Sequence, residues 1–198
     1  MEEKKKRMFF RRTWIKIVKL FGWRLILPEE GSRDEMKKCV FVVAPHTSIL
    51  DFFVGVAYLW SCCPNSGILI KKEFFFWPLG PLLRRLGGIS VDRGNRNNDV
   101  VGTAVREFAE NEHLSLVITP EGTRKPTRRW KRGFWEIAHA AKVPIVPTYI
   151  DFKHKEIGAF DTVLTSNDYD ADLLKIRRLY FKDMAKHPEK FIELGEST

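Results

Sequence analysis

Short apolar runs alternate with longer amphipathic stretches through most of the chain. Residues 51–62, 97–111, 131–142 and 170–187 have helical periodicity. The runs between them have the length and composition of buried strands: CVFVVAP (39–45), GILI (67–70), GISV (88–91), LSLVIT (114–119) and VPIVPTYI (143–150). Apolar strands separated by helices are typical of a parallel sheet covered on both faces. The pattern therefore predicts a single α/β domain, with a mostly parallel central sheet flanked by helices.

The amino-terminal segment has a different pattern. Drawn as a helix, residues 8–27 separate an apolar face from a basic one: Phe10, Trp14, Ile17, Val18, Phe21 and Leu25 lie opposite Arg12, Lys16 and Lys19. At the centre of a bilayer the basic residues would cost roughly 12–18 kcal/mol, against a gain of roughly 3–6 kcal/mol from the apolar ones. Residues 1–30 are therefore predicted to form an amphipathic helix on a membrane surface. The alternative is a helix packed on its own domain.

No other segment predicts a membrane span. The apolar stretch 49–63 carries Asp51 and is shorter than the roughly 20 residues that a span requires.

The net charge of +9, from 34 Lys and Arg against 25 Asp and Glu, favours anionic partners such as anionic lipid, an acidic carrier protein or nucleic acid. Nucleic acid is not expected, because the sequence contains no recognised binding motif for it. The three cysteines (39, 62 and 63) and five scattered histidines lack the spacing of a zinc site, so no metal is expected.

The segment APHTSILD (44–51) joins a predicted strand to a predicted helix. Ser48 and Asp51 have the S-x-x-D spacing of a capping box, which indicates a helix start. His46 can meet Asp51 if it lies in the turn before that helix. A neutral imidazole is a suitable base for a hydroxyl proton, and a carboxylate on its other nitrogen orients it. The alternative is that Asp51 only caps the helix and His46 is an incidental loop residue.

Two further predicted strands end in arginine-bearing turns. GGISVDRGNR (87–96) contains Arg93, and VITPEGTRK (117–125) contains Arg124. Arginine suits bidentate phosphate binding, and parallel sheets bind ligands at the edge where their strands end. Both segments are also ordinary turn sequences. Together with His46 they indicate a phosphate-binding active site at that edge.

The segments HTSILD, GGISVDR, PEGTR and VPIVP, in this order, resemble the four motif blocks of the glycerolipid acyltransferase superfamily. The closest resemblance is to bacterial 1-acylglycerol-3-phosphate acyltransferases, and it covers roughly residues 39–150. KKEF (71–74) and WKRGF (130–134) are similar to the segments that connect those blocks. Thr119 and Lys125 depart from the family pattern on either side of PEGTR.

This resemblance implies an acyltransferase domain over residues 31–198. The reaction it implies moves a fatty acyl group from a thioester of acyl carrier protein or coenzyme A to 1-acylglycerol-3-phosphate, giving phosphatidate without a further cofactor. The implied roles are a general base with its orienting partner (His46, Asp51), a phosphate site (Arg93, Arg124, Lys71) and an acceptor pocket (Glu121, Gly122, Thr123).

The resemblance also implies a peripheral or monotopic protein at the cytoplasmic face of the inner membrane. The acceptor stays open, because another lysolipid, glycerol-3-phosphate or an amino-acid lipid such as lyso-ornithine or glycine lipid would use the same chemistry. The alternative outside the enzyme class is a noncatalytic binder of anionic lipid.

Overall fold

The computed structural model describes residues 2–29, 34–63, 66–71, 76–77, 80–81, 84, 88–91 and 99–195. The helices are α1 (Glu2–Leu20), α2 (Leu50–Cys62), α3 (Val100–Glu110), α4 (Gly133–Ala141) and α5 (Tyr169–Arg177). The strands are β1 (Arg24–Ile26), β2 (Lys38–Ala44), β3 (Ser66–Lys71), β4 (Gly88–Val91), β5 (Leu114–Ile118), β6 (Ile145–Asp151) and β7 (Glu156–Ala159). Two 3-10 turns, Lys182–Met184 and Pro188–Lys190, follow α5.

The strands form one sheet in the order β1-β7-β6-β2-β5-β3-β4. Within the described sheet, every neighbouring pair is parallel except β6 and β7, which form an antiparallel hairpin. This confirms the predicted α/β class and the mostly parallel sheet. The five predicted strands correspond to β2 to β6, each within two residues at either end.

Strand β2 supplies the core on both faces of the sheet. Val40, Val42 and Ala44 face a layer that contains α3, α4 and the segment after α5. Cys39, Phe41 and Val43 face the opposite layer, which contains α2. Alternate side chains of a strand point to opposite faces, so a strand buried on both sides reads as a continuous apolar run.

The predicted helix over 8–27 is too long, because α1 ends at Leu20. Gly22 takes a positive φ of 86°, and its N–H donates to the Lys19 carbonyl at 2.9 Å. The N–H of Trp23 donates to the Val18 carbonyl at 3.3 Å. These two bonds form a Schellman helix end, for which glycine is favoured because it lacks a Cβ. Residues 24–26 instead form β1, which was not predicted.

One side of α1 packs on α2. Trp14 and Ile15 contact a small apolar cluster that includes Val56 and Trp60 of α2. The indole Nε1 of Trp14 donates to the carbonyl of Phe53 at 3.0 Å. The packing of α1 on its own domain, left open by the sequence, is therefore present. Other apolar side chains of α1 and of the turn after it remain exposed to solvent: Phe9 (74% exposed), Leu20 (86%) and Phe21 (70%). None of the described helices is long and apolar enough to cross a membrane.

The carboxyl-terminal helix is also shorter than predicted. α5 ends at Arg177 rather than near residue 187, and the backbone is extended at Phe181. The departure from helix brings the side chain of Tyr180 into the core, where it is 2% exposed.

Tyr180 inserts its hydroxyl between β2 and β6. The hydroxyl accepts from the N–H of Thr148 at 3.1 Å and donates to the carbonyl of Val42 at 2.8 Å. One buried donor and one buried acceptor of adjacent strands are thereby satisfied through a side chain. The insertion attaches the segment after α5 to the centre of the sheet.

Replacing Tyr180 with phenylalanine should leave the N–H of Thr148 and the carbonyl of Val42 without their bridging partner. An unsatisfied buried polar group costs about 1–3 kcal/mol, so Tyr180→Phe should lower the free energy of unfolding by at least that amount. Urea denaturation measures the change. Tyr149→Phe is the control, because the half-buried Tyr149 hydroxyl makes no hydrogen bond within the described residues. Equal stability of the two variants would contradict the assigned role of Tyr180.

Candidate active site

The structure brings His46 and Asp51 together at the carboxyl end of β2. His46 lies in the turn two residues after that strand, and Asp51 lies in the first turn of α2. His46 Nδ1 is 3.0 Å from Asp51 Oδ2. Asp51 is 3% exposed, whereas the His46 side chain keeps 20% of its surface accessible. An ionised carboxylate can only accept, so the contact assigns the ring proton to Nδ1 and leaves Nε2 as the basic nitrogen of the neutral ring.

The same carboxylate oxygen organises the backbone of the turn. Asp51 Oδ2 accepts from the N–H of Thr47 at 2.8 Å and from the N–H of Ser48 at 2.9 Å. The Ser48 hydroxyl accepts from the N–H of Leu50 at 3.2 Å, one residue earlier than a full capping box requires. Capping and orientation of the imidazole are therefore not alternatives here, because one oxygen of Asp51 does both.

Glu121 links a second loop to His46. Strand β5 pairs with β2 in parallel, with Val42 opposite Ile118, so the loops after both strands leave at the same edge. Glu121 Oε1 accepts from the backbone N–H of His46 at 2.9 Å. The motif position of Glu121 was predicted from the resemblance, but its bond to the His46 backbone was not.

Glu121 is a buried carboxyl whose pKa is raised above its usual value. It is 6% exposed, and Oε2 has no hydrogen-bond partner within the described part of the chain. Burial raises the pKa of Glu121 to about 7, against the opposing effect of the bond from His46. Near neutral pH this carboxyl therefore exchanges between an acceptor-only form and a form that can also donate.

Gly122 allows a lysine to lie over the PEGT turn. Gly122 has a positive φ of 64°, and a Cβ built there would lie 2.7 Å from Lys131 Cε. The N–H of Lys131 donates to the carbonyl of Pro120 at 2.8 Å, which holds the two segments together. Sequence reasoning did not assign Lys131 a role, although the WKRGF segment was the available signal.

Three of the remaining predicted residues lie in the described part of the chain. Thr123 and Arg124 are exposed on the turn that carries Glu121. Lys71 is the last residue of β3, a strand that pairs with β5. Arg93 lies outside the described residues, two positions after the end of β4. The structure thus joins His46, Asp51 and Glu121 directly and leaves a phosphate site formed by these basic residues as a prediction.

A cavity of about 1070 Å³ adjoins this edge. Its walls include Glu121, Gly122, Thr123 and the segment 127–132. In the ranges that the structure describes, no cluster of three or more histidine, cysteine or acidic side chains is arranged to hold a metal ion.

Comparisons with known proteins give one family and two named relatives. The profile of a family described as Acyltransferase matches residues 27–151. A 1-acyl-sn-glycerol-3-phosphate acyltransferase from Cocos nucifera is 31% identical over 132 residues, which are 63% of this chain and 41% of the relative. A protein of the same name from Saccharomyces cerevisiae is 28% identical over 128 residues, 61% of this chain and 41% of the relative. The matched region is about two fifths of each relative's length.

Replacing Glu121 with glutamine should change how stability depends on pH. In the folded chain the pKa is raised from 4.5 to about 7, so between these values the folded state keeps a proton that the unfolded state releases. Stability should then fall as pH rises through this window, by about 3 kcal/mol in total from this group. Glutamine cannot ionise, and its oxygen can still accept from the N–H of His46.

The stability of Glu121→Gln relative to the unsubstituted protein should therefore increase between pH 4.5 and pH 8. Urea denaturation at a series of pH values measures this difference. Glu110→Gln is the control, because Glu110 is an exposed carboxyl at the end of α3. If the stabilities of Glu121→Gln and Glu110→Gln show the same dependence on pH, the conclusion that Glu121 is buried in its neutral form is wrong.

Proposed function

The chain belongs to the acyltransferase family, and on that premise we propose that it transfers a fatty acyl group from a thioester to a lysophospholipid hydroxyl. The names of the two relatives favour 1-acylglycerol-3-phosphate as the acceptor and phosphatidate as the product. The observation that carries the proposal is the 3.0 Å contact between His46 Nδ1 and Asp51 Oδ2. It leaves a partly accessible imidazole with Nε2 unprotonated, as a general base requires.

In the proposed reaction, Nε2 of His46 removes the proton from the acceptor hydroxyl as its oxygen attacks the thioester carbonyl. The resulting tetrahedral intermediate collapses to the new ester and expels the thiolate, which takes the proton back from the imidazolium. Asp51 stabilises the imidazolium and keeps the ring oriented. No nucleophilic side chain of the enzyme is needed, since the substrate hydroxyl is the nucleophile.

We assign the acceptor phosphate to the basic residues at the same edge. Arg124 is exposed and has no hydrogen bond or ion pair within the described residues. Lys71 ends β3, the strand next to β5, and Arg93 follows β4 in the chain, so we add both residues to the proposed phosphate site. Glu121, Gly122 and Thr123 would form the wall nearest the glycerol backbone. Arginine suits this role because its planar group can bind two phosphate oxygens at once.

We also propose that the exposed apolar side chains around α1 and the start of α2 rest in a membrane surface. Ile49 (54% exposed) and Leu50 (44% exposed) lie between His46 and Asp51 in the chain, and Phe53 (40% exposed) follows them. Phe9 adds an aromatic ring on α1, and basic residues of α1 can meet lipid phosphates. Such a docked surface would place the imidazole beside the acceptor lipid. Peripheral attachment to the cytoplasmic face of the inner membrane remains a prediction.

His46→Ala should lower kcat by about 10²- to 10⁴-fold, because it removes the general base. Asp51→Asn should also lose activity, although its amide oxygen can still cap the Thr47 and Ser48 N–H groups. The double variant should be hardly slower than His46→Ala, since residues that act as a unit are not additive. Release of free thiol from an acyl thioester measures turnover, and thermal unfolding shows whether the fold is retained.

Near-normal turnover of a folded Asp51→Asn variant would contradict the proposal that His46 and Asp51 act as a pair.

A separate assay with a panel of acceptors and one labelled donor would identify the acceptor among lysophosphatidate, glycerol-3-phosphate, other lysolipids and amino-acid lipids. Absence of thiol release with every acceptor would favour a noncatalytic lipid binder instead.

Phe9→Ser combined with Leu20→Ser should weaken binding to vesicles of anionic lipid by about tenfold, because each side chain loses part of its apolar transfer free energy. Co-sedimentation measures the bound fraction. Leu164→Ser combined with Phe181→Ser is the matched control, since Leu164 (76% exposed) and Phe181 (53% exposed) lie in the segments after β7 and α5. If vesicle binding falls equally in the test variant and in the control variant, α1 is not the docking surface.

A further inference from the structure

The turn that carries His46 is held by contacts from several parts of the chain. The N–H of His46 donates to Glu121 Oε1 at 2.9 Å, and the N–H of Thr47 donates to Asp51 Oδ2 at 2.8 Å. A further contact comes from the segment after α5, where the N–H of His187 donates to Thr47 Oγ1 at 3.2 Å. The loop after β5, the start of α2 and the segment after α5 therefore converge on two consecutive residues of the turn.

Thr47 is coupled to the imidazole through a shared acceptor. It follows His46 in the chain and is 3% exposed. The oxygen of Asp51 that accepts from its N–H is the same Oδ2 that contacts His46 Nδ1. A displacement of Thr47 would therefore disturb the contact that orients the ring.

The segment after α5 gives Thr47 a fixed support. Within residues 180–191, Ala185 (5% exposed) and Phe191 (6% exposed) pack in the core layer that contains α3 and α4. The carbonyl of Met184 accepts from the first backbone N–H after β6 at 2.8 Å. His187 lies between these anchored residues, so its N–H is held in place relative to the sheet.

The hydroxyl of Thr47 also meets a requirement of the backbone. His187 precedes the 3-10 turn Pro188–Lys190. The N–H of a residue before a helical turn finds no acceptor inside that turn, so its partner must come from elsewhere. Thr47 Oγ1 is that partner. Separating the turn at His46 from the segment 180–191 would leave a donor unpaired, which is unfavourable where water is excluded.

The segment 180–191 lies beyond residue 151, where the match to the family profile ends. His46, Asp51 and Glu121 all lie inside the matched region. The support of Thr47 by His187 is therefore an addition to the matched motifs that the fold of this chain makes visible.

We propose that Thr47 is a positioning residue for the acyl transfer proposed above, on which the inference rests. Its hydroxyl attaches the turn to the segment 180–191, and its N–H holds the carboxylate of Asp51. The imidazole of His46 then keeps one orientation before the acceptor hydroxyl arrives. A displacement of a catalytic group by about 1 Å can slow a reaction by about 100-fold. Thr47 acts through His46 rather than on the reacting atoms.

The test compares two substitutions of Thr47. Thr47→Val keeps the branched shape and removes the hydroxyl, so kcat should fall by at least about tenfold while the KM values of donor and acceptor change by less than about twofold. Thr47→Ser keeps a hydroxyl and should restore most of kcat. Release of free thiol from an acyl thioester measures turnover. If Thr47→Ser is as slow as Thr47→Val, the hydroxyl is not the cause and the proposal is overturned.

Thr148→Val is the matched control for stability. Thr148 is 1% exposed, and its hydroxyl donates to the carbonyl of Val146 at 3.2 Å, so the same change removes a buried hydrogen bond away from the turn. Thermal unfolding measures the destabilisation in both variants, and kcat of Thr148→Val should stay within about twofold of the unsubstituted protein. If Thr148→Val lowers kcat as much as Thr47→Val does, loss of stability explains both effects and the proposal is overturned.

The substitution of His46 tests whether Thr47 acts through the imidazole. In the His46→Ala background, Thr47→Val should change the residual rate by less than about twofold, because no ring remains to be positioned. A further tenfold fall in that background would show that Thr47 acts independently of His46, and it would also overturn the proposal.

Amide hydrogen exchange separates this inference from the proposed function. Exchange in a peptide that covers residues 46–51 should be several-fold faster in Thr47→Val, and it should be unchanged in Thr47→Ser and Thr148→Val. If exchange responds in this way but the unsubstituted protein turns over no thioester, the support of the turn by His187 stands and the acyltransferase proposal fails. If turnover occurs and kcat does not respond to Thr47→Val, the positioning role alone fails.

Discussion

One oxygen of Asp51 sets the geometry on which the site depends. Burying a carboxylate is costly unless donors meet its charge. Asp51 Oδ2 meets that requirement with the imidazole of His46 and the backbone N–H groups of Thr47 and Ser48. All three donors come from the turn between β2 and α2, so their bonds to Oδ2 also fix the turn, while the buried Oδ1 has no hydrogen-bond partner among the described residues. The orientation of the imidazole is consequently a product of the same contacts that start the helix.

The parallel sheet extends this local arrangement to a second loop. Because β2 and β5 are neighbours in register, the turn after β5 lies beside the turn after β2, and Glu121 reaches the N–H of His46. The two buried carboxyls differ in their partners. Asp51 has three donors on one oxygen, whereas Glu121 has one donor and a pKa raised to about 7, chiefly by burial and also by the nearby Asp51. Burial with a single donor thus leaves Glu121 able to keep a proton near neutral pH.

The features that could be predicted from the sequence are those with a local pattern. Strands buried on both faces leave apolar runs, and the pairing of His46 with Asp51 needs only a turn followed by a helix start. The end of α1 was missed because its apolar spacing continues through Gly22, where the backbone turns. The contacts of Glu121 with His46 and of Tyr180 with Val42 join residues 75 and 138 positions apart. No local pattern encodes them, since they depend on which strands become neighbours in the sheet.

The two faces of the sheet carry different exposed side chains. The apolar Ile49 and Phe53 are exposed at the start of α2, whereas Arg128 and Arg129 line a cavity whose wall residue Trp130 packs in the layer on the other face. Apolar residues around an anionic ligand would leave its charge poorly solvated. Keeping the two sets apart avoids that cost. His46 follows the carboxyl end of β2, the strand whose side chains pack into both layers.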